Sequence, residues 1–153
     1  MREKLGNMKI LILSVSKKET LYSDAQDEYV KRLTRYADIN LDTIVHSDKN
    51  TETQKLLTKI KPSDYVVLLD ERGSVIKSEE FAEMIENRQN DSIGRIVFII
   101  GGAYGVGEEI VRRANYTLSF GSMVWPHALC HTMLLEQIYR AYTILNGVPY
   151  HNA

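Results

Sequence analysis

Residues 115–142, NYTLSFGSMVWPHALCHTMLLEQIYRAY, decide the fold because they hold a strand, a loop and the strongest helix pattern of the chain. The apolar run at 116–120 predicts a short strand, and residues 121–125 predict a loop. Pro126 then opens a helix with His127 in its first turn, where the N–H that proline lacks would have no partner anyway. One helix face is expected to be buried, because apolar residues recur every three or four positions: Leu129, Met133, Leu134, Ile138, Ala141, Ile144 and Leu145.

The rest of the chain alternates predicted strands with predicted helices. Two strands, at 65–69 and 95–100, are apolar throughout, which is typical of strands covered on both faces. Ser78 is expected to cap a helix whose first turn carries Glu79 and Glu80. The alternation predicts an α/β fold with a mainly parallel sheet and helices on both faces. The further strands are predicted at 9–14 and 39–45, and the further helices at 22–37, 51–61 and 108–114.

Length and composition indicate one globular domain. The chain has 153 residues, of which 44% are hydrophobic and 25% charged, and no apolar run reaches the roughly 18 residues of a membrane span. The first strand begins at once after Met8, so we expect a single domain at 8–153 and interpret residues 1–7 as a possible extension. Cys130 is alone, which excludes a disulfide within the chain and favours a cytosolic location. We interpret it as a buried small apolar residue.

The charge balance limits how this chain could bind nucleic acid. A net charge of -1 argues against broad nonspecific affinity, which needs a basic surface. Any RNA contact is therefore expected to be local or shared between subunits. Basic residues cluster at 31–35 and at Arg112 and Arg113, although such groups are usually a solvated helix face.

Three strand ends suggest a ligand site. In open parallel sheets ligands bind beyond the carboxyl ends of the strands, and the ends at 69–73, 101–107 and 120–125 are distinctive. The second reads G-G-x-x-G-x-G, which allows close approach of the backbone to a ligand. It does not match the dinucleotide fingerprint and lacks the Lys of a P-loop. The alternative is a strand, a turn and a core helix without a ligand.

Three histidines and one predicted ion pair are further candidates for functional residues, and each also has a purely structural interpretation. His127 and His131 lie one helical turn apart around Cys130 and could hold a metal, but residue 128 is not the Glu of a zinc protease helix. A metal hydrolase is therefore the least favoured function, and His131 is interpreted as an RNA-facing or internally satisfied residue. His46 is expected at the surface of a strand end. Glu136 and Arg140 are four residues apart and predict a surface ion pair.

Taken together, residues 69–73, 101–106, 118–127 and above all 135–142 with Pro149-Tyr150-His151 resemble the SPOUT methyltransferases of the RlmH type. The resemblance runs from Met8 to His151. It implies a compact α/β fold with a C-terminal trefoil knot, a homodimer, and S-adenosylmethionine as methyl donor. It also implies methylation of N3 of a pseudouridine in helix 69 of the 23S ribosomal RNA, on the assembled ribosome.

The resemblance also implies the site residues, and it implies no metal. Arg140, Tyr150 and His151 would line the acceptor side, where Arg140 could stabilise the developing anion and Tyr150 or His151 could accept or relay the proton. The donor would be held by residues at the three strand ends: Leu69, Gly101, Phe120, Gly121, Ser122, Met123, Val124 and Trp125.

Three departures from the family pattern keep other functions open. His131 stands where an Arg is usual, Ser16 replaces a usual Gly, and residues 152–153 replace a more polar ending. The chain could therefore be a divergent SPOUT methyltransferase that acts on transfer RNA or another ribosomal base. It could also be a catalytically inactive ribosome-binding module.

Overall fold

The computed structural model describes residues 8–16, 21–91 and 93–152, so the possible extension at 1–7 and the final Ala153 lie outside the described residues. Within these ranges strands and helices alternate along the whole chain. The strands are β1 (Lys9–Ser16), β2 (Asp38–Val45), β3 (Tyr65–Val75), β4 (Arg95–Ile100) and β5 (Tyr116–Ser119). The helices are α1 (Ser23–Leu33), α2 (Lys49–Thr58), α3 (Ser78–Asn90), α4 (Glu108–Arg113) and α5 (His127–Leu145).

The five strands form one parallel sheet in the order β2-β1-β4-β3-β5. Side chains that alternate along each strand enter two separate cores. Ile12 and Phe98 pack with α1, α3 and α5 on one face, while Leu13 and Val97 pack with α2 and α4 on the other. The predicted α/β sheet with helices on both faces is therefore confirmed, and the trefoil knot stays a prediction.

Strand β3 is longer than predicted and contains a bulge. Its pairing with β5 jumps from Leu69 opposite Leu118 to Ser74 opposite the same Leu118, so residues 70–73 are extra on the β3 side. A Cβ on Gly73 would lie 2.6 Å from the carbonyl oxygen of Thr117, so only glycine fits this close approach. The bulge places the charged residues 70–72 beyond the regular part of the sheet, at the edge where the strands end.

Helix starts differ from the sequence predictions by one or two residues. Helix α2 begins at Lys49 because the carboxylate of Asp48 accepts the N–H of Thr51. The N-cap of α3 is Lys77, so the prediction that Ser78 caps this helix is wrong. The Ser78 hydroxyl instead donates to Gln137 Oε1 on α5 at 2.7 Å and ties the two helices together.

Helix α5 has the predicted buried face and a glycine stop. Leu134, Ile138 and Ala141 are buried as predicted. Pro126 takes the N-cap position with extended backbone, one residue before the first turn where it was expected. At the other end Gly147 has φ +66°, and the N–H groups of Gly147 and Val148 bond back to the carbonyls of Ile144 and Thr143. In the described part of the chain, no helix combines the length and apolar content needed to cross a membrane.

Candidate functional site

A cleft opens where β3, β4 and β5 end side by side. Leu69 is opposite Ile100 on one side and Leu118 on the other, so these three strands reach the same edge together. The cleft measures about 980 Å³. Its lining includes all but one of the predicted donor-binding residues: Leu69, Gly101, Phe120, Gly121, Met123, Val124 and Trp125. Ser122 is exposed and is not among the lining residues.

The loop after β5 is held by a buried serine that the sequence prediction missed. Ser119 Oγ accepts the N–H of Gly121 at 3.0 Å and lies 3.2 Å from the carbonyl oxygen of Glu71 in the bulge. Gly121 has φ +120°, a conformation that side chains disfavour. The next residues stand out from the surface, with Met123 73% and Val124 82% exposed. One side chain thus links the bulge of β3 to a loop that offers apolar groups to the cleft.

The glycine loop after β4 folds into a tight turn. The N–H of Gly105 donates to the carbonyl of Gly102 at 2.9 Å, and Gly105 has φ +75°. Ala103 and Tyr104 therefore occupy the tip of the turn, where Tyr104 is 72% exposed. A Cβ on Gly101 would lie 2.8 Å from Val106 Cγ1, so the strand end needs glycine to pack against the returning loop.

A buried carboxylate behind this turn is the second feature that the sequence did not reveal. The Glu52 side chain is 2% exposed, and its Oε2 accepts the Ser47 N–H at 2.7 Å. The same oxygen lies 2.9 Å from His46 Nδ1, and a Cβ on Gly102 would come within 2.9 Å of Oε1. His46 was expected at a strand-end surface, and it does follow β2. However, it is anchored to Glu52 and lines the cleft.

An ion pair forms part of the cleft wall at the bulge. Arg72 Nε and Nη2 donate to the two carboxylate oxygens of Asp70 at 3.0 and 2.8 Å. Hydrogen bonds from the Arg72 guanidinium hold the pKa of Asp70 below its usual range. The cleft therefore carries a carboxylate that stays ionised at neutral pH beside its own counter-ion.

Of the two histidines at the start of α5, His127 is half-buried and lines the cleft, whereas His131 is buried. Burial lowers the pKa of His127, whose ring reaches the backbone of Ile100. His131 is 8% exposed, and burial together with His127 lowers its pKa to about 4. An RNA-facing position for His131 is therefore wrong within this chain. Cys130 is half-buried rather than buried, and desolvation raises its pKa to about 11. Over the described residues, no group of three His, Cys, Asp or Glu side chains is placed to hold a metal ion.

The three predicted acceptor-side residues meet at the end of α5. Arg140 donates from Nε to Glu136 Oε1 at 3.0 Å and has Nη1 3.0 Å from His151 Nδ1. Its Cζ lies 4.7 Å from the ring centroid of Tyr150. The Glu136–Arg140 pair is partly buried, with side chains 18% and 25% exposed, so it is not the surface pair that was expected. We call Glu136, Arg140, Tyr150 and His151 the arginine cluster.

Protonation states within the arginine cluster follow from these contacts. Burial, with the Tyr29 and Glu136 side chains beside it, raises the pKa of Tyr150 to about 12, so its phenol keeps its proton at neutral pH. Because arginine has only donors, His151 Nδ1 accepts from Arg140 and a neutral ring carries its proton on Nε2. That nitrogen lies 3.5 Å from Glu79 Oε1, which is an electrostatic contact rather than a good hydrogen bond.

The arginine cluster and the cleft do not share one cavity in a single chain. Arg140 lines a smaller hollow of about 540 Å³, which shares Leu118 and Phe120 with the cleft. Tyr150 and His151 line neither. The predicted donor and acceptor residues are thus each brought together, but on two sides of Phe120.

Comparison with known proteins gives a consistent result. A family model described as predicted SPOUT methyltransferase matches residues 8–151. Two proteins named ribosomal RNA large subunit methyltransferase H, from the Okra and Kyoto strains of Clostridium botulinum, are each 42% identical over 158 residues, covering 94% of this chain and 99% of theirs. A probable methylase family protein from Haemophilus influenzae has the same fold, with a TM-score of 0.53 at 12% identity over 95% of this chain and 70% of that one.

Proposed function

This chain belongs to the SPOUT methyltransferase family, and from that premise we propose that it transfers a methyl group from S-adenosylmethionine to large-subunit ribosomal RNA. The observation that carries the proposal is the cleft at the tips of β3, β4 and β5, lined by Leu69, Gly101 and the loop after β5. In its finer form, the acceptor is N3 of a pseudouridine in helix 69 of the 23S RNA on assembled ribosomes. Such a protein works in the cytoplasm.

The lining of the cleft fits the donor. Apolar side chains from Leu69, Val106 and Phe120 suit a flat adenosine. Gly101 and Gly121 are half-buried and line the cleft, so their backbone groups can form hydrogen bonds without a side chain in the way. The donor supplies a methyl group on a positively charged sulfur. Asp70 in the wall is bonded to Arg72 through both carboxylate oxygens, so the pair adds little net charge and the apolar lining and backbone groups carry the recognition of the donor.

On the acceptor side, the arginine cluster has the groups that the reaction needs. When the base nitrogen attacks the methyl carbon, the N–C bond forms as the S–C bond breaks, and the N3 proton must leave. Arg140 stabilises the negative charge on the base. His151 is the better proton acceptor, because the Tyr150 phenol already holds its own proton at neutral pH. To accept the N3 proton at Nδ1, His151 must first give up its hydrogen bond with Arg140. The arrival of the base and the loss of this hydrogen bond are therefore coupled.

A second subunit is part of the proposal. Arg140 lies 13 positions after His127 on one helix, which is roughly 20 Å along its axis at about 1.5 Å per residue. Methyl transfer needs reacting atoms within about 3–3.5 Å. The exposed Met123 and Val124 beside the cleft give an apolar surface that a second copy would cover. We therefore propose a homodimer in which the arginine cluster of one subunit serves the cleft of the other.

Mass spectrometry of ribosomal RNA nucleosides, after incubating ribosomes with protein and donor, tests the activity. A new methyl group on an N3 position of pseudouridine is the expected result. Methylation of another base or of transfer RNA would identify a divergent enzyme. Calorimetry with S-adenosylmethionine separates these results from loss of function. A protein that binds ribosomes but not the donor would be a binding module, and the proposal would be wrong.

The arginine cluster is tested with Arg140→Ala and Arg140→Lys. Both should keep donor affinity, whereas kcat should fall by roughly 10²–10³, the effect of losing one charge-stabilising donor. Lysine should recover only part of the loss, because it cannot bond Glu136 and His151 at once through a rigid fork. An Arg140→Ala enzyme with full turnover would remove Arg140 from the mechanism.

Mixing two inactive variants tests the shared site. Gly101→Val, once calorimetry shows that it no longer binds donor, is mixed with Arg140→Ala. If each site uses both subunits, half of the dimers are mixed and one of their two sites is intact, so activity should recover to about a quarter of wild type. No recovery in a preparation shown to contain mixed dimers would place each site within one chain.

A further inference from the structure

The half of the cleft that lies away from the predicted methyl-donor residues has its own set of polar side chains. The residues that line it come from the ends of β1 and β2, the start of α1 and the glycine turn: Val15, Ser16, Tyr22, His46, Gly102, Tyr104 and Gly105. The whole cleft, at about 980 Å³, is at the upper end of the roughly 300–1,000 Å³ of small-molecule sites, so the donor leaves room for a second group. We call this half the β2-side pocket.

Two rings form the wall of the β2-side pocket. The centroids of His46 and Tyr104 are 6.4 Å apart with planes at 29°, and Tyr104 is 72% exposed at the tip of its turn. The outer face of the tyrosine ring is therefore available to a flat ligand. A large aromatic side chain held at a turn tip beside a cleft is the arrangement on which unpaired bases stack.

Glu52 fixes the edge of the histidine ring that a ligand would meet. Its buried carboxylate accepts a hydrogen bond from His46 Nδ1 at 2.9 Å. A second hydrogen bond, donated by the Ser47 N–H at 2.7 Å, prevents the carboxylate from rotating away. In the tautomer that donates Nδ1–H to Glu52, Nε2 keeps its lone pair and accepts a hydrogen bond from a ligand. A carboxylate directly behind the ring disfavours phosphate and carboxylate ligands and favours groups that carry N–H donors.

From these contacts we propose that the β2-side pocket binds an unpaired nucleobase of the RNA substrate, next to the base that is methylated. The base stacks on Tyr104 and donates an amino or imino N–H to His46 Nε2. Glu52 is a positioning residue, because it acts only through His46 and the turn. The inference rests on the proposed function, since it assigns part of the same cleft to the RNA.

Four variants of the full-length protein test the proposal through ribosome affinity, KM for ribosomes and donor affinity. Tyr104→Ala should raise the Kd and KM for ribosomes roughly tenfold to a hundredfold, the loss that one stacked base represents, with kcat and donor affinity unchanged. Tyr104→Phe keeps the ring and should stay within about twofold of wild type. His46→Ala should weaken ribosome binding by roughly three- to tenfold, the effect of one hydrogen bond. Val111→Ala, an exposed apolar residue on α4 away from both cavities, is the control and should change nothing.

The outcomes separate this proposal from the proposed function. If the wild-type protein binds no donor, the proposed function fails. If it methylates RNA and Tyr104→Ala leaves ribosome affinity and KM unchanged, only the base pocket is wrong. A Tyr104→Ala protein that loses donor affinity or changes its oligomeric state, as measured by sedimentation, also overturns the pocket, because Tyr104 would then belong to the donor site or to the interface between subunits. If wild-type protein does not bind ribosomes at all, the pocket is not an RNA site.

Discussion

Replacing Gly102 with alanine should destabilise the protein because the space beside it is already filled. The new Cβ would lie 2.9 Å from Glu52 Oε1 and 3.2 Å from Val15 Cγ1, both well inside ordinary contact. The carboxylate cannot move aside easily, since its other oxygen holds the Ser47 N–H and His46. Overpacking of this kind costs about 1–3 kcal/mol. Alanine also makes the unfolded chain less flexible, which stabilises the folded protein by about 0.4–1 kcal/mol. The free energy of unfolding should therefore fall by about 1–2 kcal/mol in total.

Gly94→Ala is the matched control. Nothing lies within 4 Å of a Cβ at Gly94, and its φ is not positive, so only the effect on the unfolded chain remains. This variant should be stabilised by about 0.4–1 kcal/mol. The two variants should differ by about 2 kcal/mol, or about 4–8 °C in melting temperature for a chain of this size, as measured by calorimetry or urea unfolding.

Removing the carboxylate tests whether the cost comes from the contact with Glu52. In a Glu52→Ala background most of the space is free, so Gly102→Ala should cost less than about 1 kcal/mol there, Val15 being the remaining close neighbour. In a Glu52→Gln background, which keeps the volume, the cost should remain. The reasoning is refuted if Gly102→Ala is as stable as Gly94→Ala, or if its cost is equal in both backgrounds.

Three further variants probe other parts of the chain. His131 has a folded-state pKa of about 4, below its unfolded value, so its contribution to stability is complete above about pH 6.5 and is lost as the pH falls toward 4. The free energy of unfolding should drop by up to about 3 kcal/mol in that window. The drop should be smaller in His131→Gln. Asp64→Ala leaves the partly buried Arg95 guanidinium without its carboxylate and should cost about 3 kcal/mol in urea unfolding. Gly121→Ala forces a side chain into φ +120° and should weaken donor binding measured by calorimetry, whereas Gly94→Ala should leave it unchanged.

Repeating apolar patterns in the sequence predicted the fold. Contacts between residues that are far apart in the sequence could not be predicted. Apolar runs at 65–69 and 95–100 gave the central strands, and their shared edge gave the position of the cleft. The bulge in β3 could not be predicted, because it depends on how close Gly73 comes to Thr117 on another strand. From the sequence alone, Glu52 cannot be distinguished from an ordinary acidic residue in the first turn of a helix. Only the folded chain brings it under Gly102, 50 positions later.

The same distinction applies to the arginine cluster. The i,i+4 spacing predicted the contact between Glu136 and Arg140, because it is fixed by helix geometry. The contact between Arg140 and His151 depends on the turn at Gly147, which reverses the chain and returns the tail to the helix. Glycine at that position predicted the end of the helix, while the family resemblance alone suggested where the tail would go.

The distribution of arginines explains how a chain with a net charge of -1 could act on RNA. Several guanidinium groups are used within the fold: Arg95 bonds Asp64, and Arg113 bonds the carbonyls of Lys61 and Asp64. Arg32 on α1 is also paired, with its Nε donating to Glu28 at 2.7 Å, and its Cζ lies 5.5 Å from the ring centroid of Tyr139, which packs edge-on against Tyr150. Arg32 therefore adjoins the arginine cluster rather than the cleft. The guanidinium groups at the proposed acceptor side are thus paired with carboxylates, so we expect phosphate contacts to give only a weak, local attraction and base contacts to decide where the RNA binds.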